Sequence, residues 1–336
     1  MPPLRQPVHG RVNPLSDELF EPELGAVFDR RFLFVTGKGG VGKSLISAAL
    51  AARAADRGER TLWVEMSESP RGGHFFTGFK PRYQLAPVRD SLWGMNLRVQ
   101  PAIEEYLAVA FKIPFVTRLI ARNTLFQVLT GALPGLDSLI PLGKIWYELG
   151  RRRGGKPYWD RIVLDAPSTG HALAMLRFPQ AAQDIVKSGN VADRAREIET
   201  ILGDRSGTGL VAVTTLDELP VDETCELLER VHDETPYRFE AIVCNEVLPD
   251  IGQAEKPRYH EWLAGNPDDE LDDSLEGAGD KARSHLAWLE RRRCSQQARL
   301  RRLSANEVPM FHAPWIPAVD EAELLGAMID ALKDQQ

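Results

Sequence analysis

The stretch FLFVTGKGGVGKSLISAAL, residues 32–50, constrains this chain more than any other. A short apolar run, Phe32-Leu33-Phe34-Val35, ends in the octet Gly37-Lys38-Gly39-Gly40-Val41-Gly42-Lys43-Ser44, and an alanine-rich segment follows from Leu45 to Ala55. The octet satisfies G-x-x-x-x-G-K-[ST]. Glycines in such a loop let backbone N–H groups turn inward on phosphate oxygens, while the next helix presents its positive end. Lys43 is placed to neutralise phosphate charge, and the Ser44 hydroxyl to take a Mg2+ site. The apolar run predicts a strand buried on both faces, the alanines a helix ending near Gly58, and Leu62-Trp63-Val64 a second strand. In this β-loop-α-β setting the loop reads as a nucleotide cradle. A plain glycine turn would leave Lys43 without a counter-charge.

Three further apolar runs read as buried strands: Ile162-Val163-Leu164, Leu210-Val211-Ala212-Val213 and Ala241-Ile242-Val243. Each ends in a small or polar cluster, Asp165-Ala166-Pro167, Thr214-Thr215 and Cys244-Asn245, at the strand end where ligands of open α/β sheets bind. Strands alternating with helical stretches predict an α/β fold, a doubly wound and mainly parallel sheet. Residues 96–150 are apolar and read as an inserted helical subdomain. Residues 251–305 read as a charged segment, with an acidic loop followed by an arginine-rich helix. Residues 1–20 read as a flexible arm, and 21–336 as one domain carrying both insertions.

Bulk properties remove several classes. Of 336 residues, 43% are hydrophobic and 26% charged, enough apolar content for a full core. A net charge of −7 provides no global field for nucleic acid or an anionic membrane. The short runs Arg151-Arg152-Arg153 and Arg291-Arg292-Arg293 read as solvated faces. Three scattered cysteines, Cys225, Cys244 and Cys294, form no C-x-x-C pair and imply neither a disulfide framework nor a thiol zinc site. With no apolar run near 18 residues, the expectation is a cytoplasmic protein without a direct membrane anchor.

Lys38 is one lysine more than the phosphate motif needs. As a free ammonium it would simply be solvated. The octet as a whole resembles the deviant Walker A loop of dimeric ATPases such as MinD, ParA, nitrogenase iron protein and the ArsA/Get3 group. That resemblance implies that Lys38 crosses a two-fold interface and stabilises charge on the partner's nucleotide. The segment Asp165-Ala166-Pro167-Ser168-Thr169-Gly170-His171-Ala172-Leu173 is similar to the switch II of ArsA/Get3-type ATPases, with alanine and proline one place earlier. It implies that Asp165 contacts Mg2+ through water and that Thr169, Gly170 and His171 respond to the γ-phosphate. Asn245 matches the position whose amide reads adenine; the bland alternative is a turn-forming Asn. Ala313-Pro314-Trp315-Ile316-Pro317 resembles the loop that closes over the base, and LPVDET, residues 219–224, also resembles bacterial members.

The chain departs from that pattern. Where the family carries an Asp that orients the attacking water, this chain has Ser67. Glu65 or Glu68 stands close enough to substitute through a water; the alternative is a slow or inactive subunit that uses ATP as a switch. The zinc C-x-x-C of the tail-anchored-protein chaperones and the arsenite-binding cysteines are absent. The expectation is therefore an ATP- and Mg2+-dependent ATPase acting as a homodimer, or as a heterodimer with a related subunit. Its helical insertion would present a surface to a hydrophobic protein client, or else form a packed cap. A scaffold without hydrolysis is the second reading. A MinD/ParA-like positioning ATPase is the third, opposed by the acidic C-terminal stretch DEAELLGAMIDALKDQQ.

Overall fold

The computed structural model describes residues 23–67, 69–98, 100–102, 105, 136–185, 187–249, 278–318 and 320–333. A short helix, α1 (Glu23–Phe28), precedes β1 (Phe32–Gly37), which leads through the glycine loop into α2 (Lys43–Asp56). Next come β2 (Thr61–Glu65), α3 (Gly72–Phe75), β3 (Ala86–Arg89) and β4 (Leu92–Asn96). The following described elements are α4 (Leu136–Gly150), a small hairpin of β5 (Arg152–Arg153) and β6 (Lys156–Pro157), and β7 (Arg161–Ser168). Then follow α5 (Thr169–Ile185), α6 (Asn190–Gly203), β8 (Thr208–Thr215), α7 (Glu218–Glu234) and β9 (Ala241–Val247). The C-terminal part holds α8 (Ala278–Ser304), β10 (Met310–Pro314) and α9 (Glu321–Lys333).

Eight of these strands form one sheet in the order β10-β9-β8-β1-β7-β2-β4-β3, parallel throughout except for β3, which runs antiparallel to β4. The alternation of side chains across the strands builds two cores. Phe32, Phe34, Leu62, Ile162 and Leu164 face Leu142 of α4, Leu173 and Leu176 of α5 and Val231 of α7. Leu33, Val35, Trp63, Val163 and Val211 face the alanines of α2 together with Leu325 and Met328 of α9. Every residue of β1, β2 and β8 is buried, as a sheet covered by helices on both faces requires. The doubly wound α/β reading is therefore the architecture, with the glycine loop at the carboxyl end of a central strand.

The five strands expected from apolar runs all form, as β1, β2, β7, β8 and β9. Three others in the eight-stranded sheet were not foreseen. In β4 a central Gly94 breaks the apolar run, β3 contains Pro87, and β10 carries His312 and Pro314, so none shows the buried-strand pattern. The insertion was drawn to begin at 96, but Asn96 is the last residue of β4; α4 forms its C-terminal part, and residues 106–135 lie outside the described residues. The arm at 1–20 and the acidic loop before α8 lie outside them too, whereas the arginine-rich half of the charged segment is α8.

At the opposite edge of the sheet from the loop, Arg60 lies 4.3 Å from the Trp93 ring centroid and 4.2 Å from that of Tyr158. Arg151 stacks on the other side of Tyr158 at 4.0 Å and pairs with Glu148 at 2.8 Å. The first arginine of the 151–153 run is thus a packing residue, and Arg152 and Arg153 are its exposed part.

Candidate functional site

The loop between β1 and α2 is held in shape by close backbone approaches that only glycine permits. A Cβ on Gly37 would lie 2.0 Å from the Val213 carbonyl oxygen, so β8 fixes where the loop leaves the sheet. Gly42, with φ +89, caps α2; a Cβ there would meet the Asn245 side-chain nitrogen at 2.2 Å. Asn245 in turn donates from Nδ2 to the Val41 carbonyl at 3.0 Å. The residue expected to read adenine therefore braces the phosphate loop from the end of β9, and it is buried there. Pro314 is the last residue of β10 rather than part of a loop; the irregular segment begins at Trp315, whose N–H donates to the Val247 carbonyl at 2.8 Å.

Lys43 opens α2 and donates from Nζ to the Lys38 carbonyl at 2.8 Å. Burial lowers its pKa against the opposing pull of Asp165. Next to it the Ser44 hydroxyl donates to Asp165 Oδ2 at 2.5 Å. Asp165 is buried on β7, and its other carboxylate oxygen, Oδ1, has no hydrogen-bond partner. Burial pushes its pKa up to about 7, helped by the charge of Glu65 and opposed by the Ser44 hydrogen bond and by Lys43. A buried carboxylate with an orphaned oxygen beside a serine hydroxyl suits a hard divalent cation that completes its shell with phosphate oxygens and water. No cluster of three or more His, Cys, Asp or Glu side chains able to hold a metal occurs among the described residues, so such an ion would need the phosphates themselves.

Glu65 sits across the strand register from Asp165, at the end of β2. Its carboxylate accepts the Arg71 N–H at 2.5 Å and the Gly72 N–H at 3.4 Å, folding the segment after β2 back into α3. Burial raises its pKa against those two hydrogen bonds. Ser67, in the place of the expected aspartate, is held through its backbone: its N–H donates to Asn96 Oδ1 at 3.4 Å, and Asn96 Nδ2 donates to its carbonyl at 3.0 Å. Glu68 lies outside the described residues.

The extra lysine has a partner. Lys38 Nζ donates to Glu223 Oε1 of α7 at 2.5 Å, and the other oxygen of that carboxylate accepts from Thr169 Oγ1 at 3.4 Å. His171, in the first turn of α5, is exposed. LPVDET carries a family resemblance that gives its glutamate no role, and no motif in the sequence marks Asn96. Both contacts join residues far apart in the chain, and no local pattern announces them.

Phosphate is the ligand this loop is shaped to take, and a glycine cradle at the end of a central parallel strand makes the chain a P-loop nucleotide-binding protein. Comparison with known proteins narrows the class. Residues 30–190 match the anion-transporting ATPase family typified by ArsA. ATPase BagA of Mycobacterium tuberculosis is 32% identical over 207 residues, covering 60% of this chain and 61% of that protein. The arsenical pump-driving ATPase of Escherichia coli is 28% identical over 242 residues, 65% of this chain and 40% of that one. ATPase get3 of Neurospora crassa is 26% identical over 172 residues, 50% and 49% of the two chains. Over residues 30–190, just under half of its length, the chain is similar to the anion-transporting ATPase (ArsA/Get3) family. It matches under two thirds of the length of these three relatives. No helix among the described residues is long and apolar enough to cross a membrane.

Proposed function

We propose that this chain is an ATP-binding, ATP-hydrolysing subunit of a two-fold dimer. The observation that carries the reading is the braced glycine loop with Lys43 and Ser44 at the start of α2 and Asp165 one strand away. In it the loop amides of residues 37–43 and the Lys43 ammonium hold the β- and γ-phosphates. Ser44, with Asp165 behind it through water, would hold Mg2+, which would supply positive charge to the phosphates. Asp165 would hold the ion as a carboxylate, so metal affinity would depend on pH. Asn245, fixed to Val41, meets the base edge, and Trp315 begins the segment beside it. Lys38 acts on the nucleotide of the opposite protomer, and the helical insertion carries the surface that responds, to a hydrophobic protein client or to a related subunit.

A specific observation favours slow turnover. Ser67 is a poor proton acceptor, and Glu65, the nearest described carboxylate, already receives two backbone N–H groups. Glu68 is then the candidate left to orient water, and a subunit lacking any such group would act as a nucleotide-driven switch beside a faster partner. The test is ATP turnover over a range of protein concentrations, with Lys38→Ala and Lys43→Ala variants alongside nucleotide titrations. Lys43→Ala should abolish binding. Lys38→Ala should keep binding and lose turnover, and turnover should rise faster than linearly with protein. Wild-type turnover proportional to concentration and indifferent to Lys38 would reject the dimeric reading.

A further inference from the structure

The Lys38–Glu223–Thr169 contact joins three parts of the fold: the phosphate loop, α7, and the first residue of α5, in the segment similar to switch II. Glu223 stands on a rigid support. Val221 and Thr224 beside it are buried, and the Thr224 hydroxyl donates to the Pro220 carbonyl at 2.8 Å. Its carboxylate spends one oxygen on each neighbour, Oε1 on the Lys38 ammonium and Oε2 on the Thr169 hydroxyl. The pair is reachable from outside, with Lys38 27% and Glu223 39% exposed, so the ammonium can leave without unfolding anything.

We infer that Glu223 is a positioning residue that stores Lys38 within its own protomer and releases it when the nucleotide draws Thr169 away. The inference rests on the reading of Lys38 as a group that acts across the dimer. While Thr169 occupies Oε2, the carboxylate is oriented for Lys38. Movement of switch II toward a γ-phosphate removes that second anchor, and the ammonium exchanges a screened carboxylate for a more highly charged phosphate on the other protomer. Closing a two-fold dimer breaks two such contacts. A half-exposed ion pair holds by roughly a factor of 1.4 to 5, so two together oppose dimer closure by about 2- to 30-fold.

The test measures ATP- and Mg2+-dependent dimerisation of the full chain by sedimentation velocity, a readout that does not require turnover. Glu223→Gln keeps the shape and removes the charge. It should tighten the ATP-dependent dimer by about 2- to 30-fold and lower the protein concentration at half-maximal turnover to match. Glu223→Asp should return both toward wild type. In a Lys38→Ala background Glu223→Gln should change neither. A Glu223→Gln dimer no tighter than wild type, while Lys38→Ala still weakens it, overturns the storage role and leaves the trans lysine standing. So does a Glu223→Gln shift of equal size with and without Lys38. If ATP produces no dimer whose stability depends on Lys38, the dimeric reading and the storage role fall together.

Discussion

Asp165 offers the most quantitative check on how this site is built. Its carboxyl is buried, and its pKa rises from 3.8 to about 7 on folding. A carboxyl with a raised pKa holds its proton in the folded chain where the unfolded chain has lost it. The stability it lends is therefore complete below pH 3.8 and drains away as pH climbs to about 7. A gap of about three pH units amounts to ~4 kcal/mol in full, of which about 2 kcal/mol falls between pH 5 and pH 7. Asp165→Asn removes the titration while leaving an oxygen to accept from Ser44. The assay is the denaturant midpoint of both proteins from pH 5 to pH 8 in EDTA without nucleotide. Wild type should lose about 2–3 kcal/mol more than the variant across that range, whatever fixed cost the new amide carries. Glu65 titrates in both proteins, and its own burial is common to them. Parallel pH profiles would refute the claim that Asp165 is held proton-bound by burial, and with it the idea that metal arrival displaces that proton.

Four further outcomes follow from contacts already described. Gly42→Ala puts a Cβ against the Asn245 amide at a positive φ, so ATP affinity should fall at least about tenfold, read by calorimetric titration, with the circular dichroism spectrum retained. Asn96→Ala takes away both hydrogen bonds to Ser67 and should cost about 1–3 kcal/mol in denaturant, with faster amide exchange confined to the segment after β2. Arg60→Ala empties the space between Trp93 and Tyr158 and should destabilise by about 1–2 kcal/mol while ATP affinity stays at the wild-type value. Mg2+ affinity in the presence of ATP should weaken by up to about tenfold for each unit of pH below 7, because the ion must compete with the Asp165 proton.

What the sequence disclosed depended on how local the cause was. The loop was legible because its glycines, lysine and serine are contiguous and meet one physical demand, and the strands beside it because full burial makes apolar runs. Gly94 and Pro87 hide two strands whose existence depends on neighbours and not on their own pattern. Less of the site was legible. Glu65 was considered as a base, but it folds back the chain after β2, a role visible only once Arg71 and Gly72 are seen to turn toward it. Asn245 was read as a base contact, and its second task, donating to the Val41 carbonyl 204 residues earlier, shows only in the fold. Lys38 could be picked out as surplus from the motif alone. Its partner could not, because Glu223 lies 185 residues away and sits in a helix like any other surface glutamate.

The Asn245–Val41 contact also bears on the order in which the molecule becomes competent. The glycine loop is made near the N-terminus, but its curvature is held by β8 through Gly37 and by β9 through Gly42. Neither brace exists until more than three fifths of the chain has been synthesised and docked. Until then the loop has its residues without its shape, and the contacts that give it shape are among the most sequence-distant in the fold. Nucleotide affinity in this protein is thus a certificate of completion: a chain that ends before β9 carries an intact phosphate motif and nothing to hold it to its form.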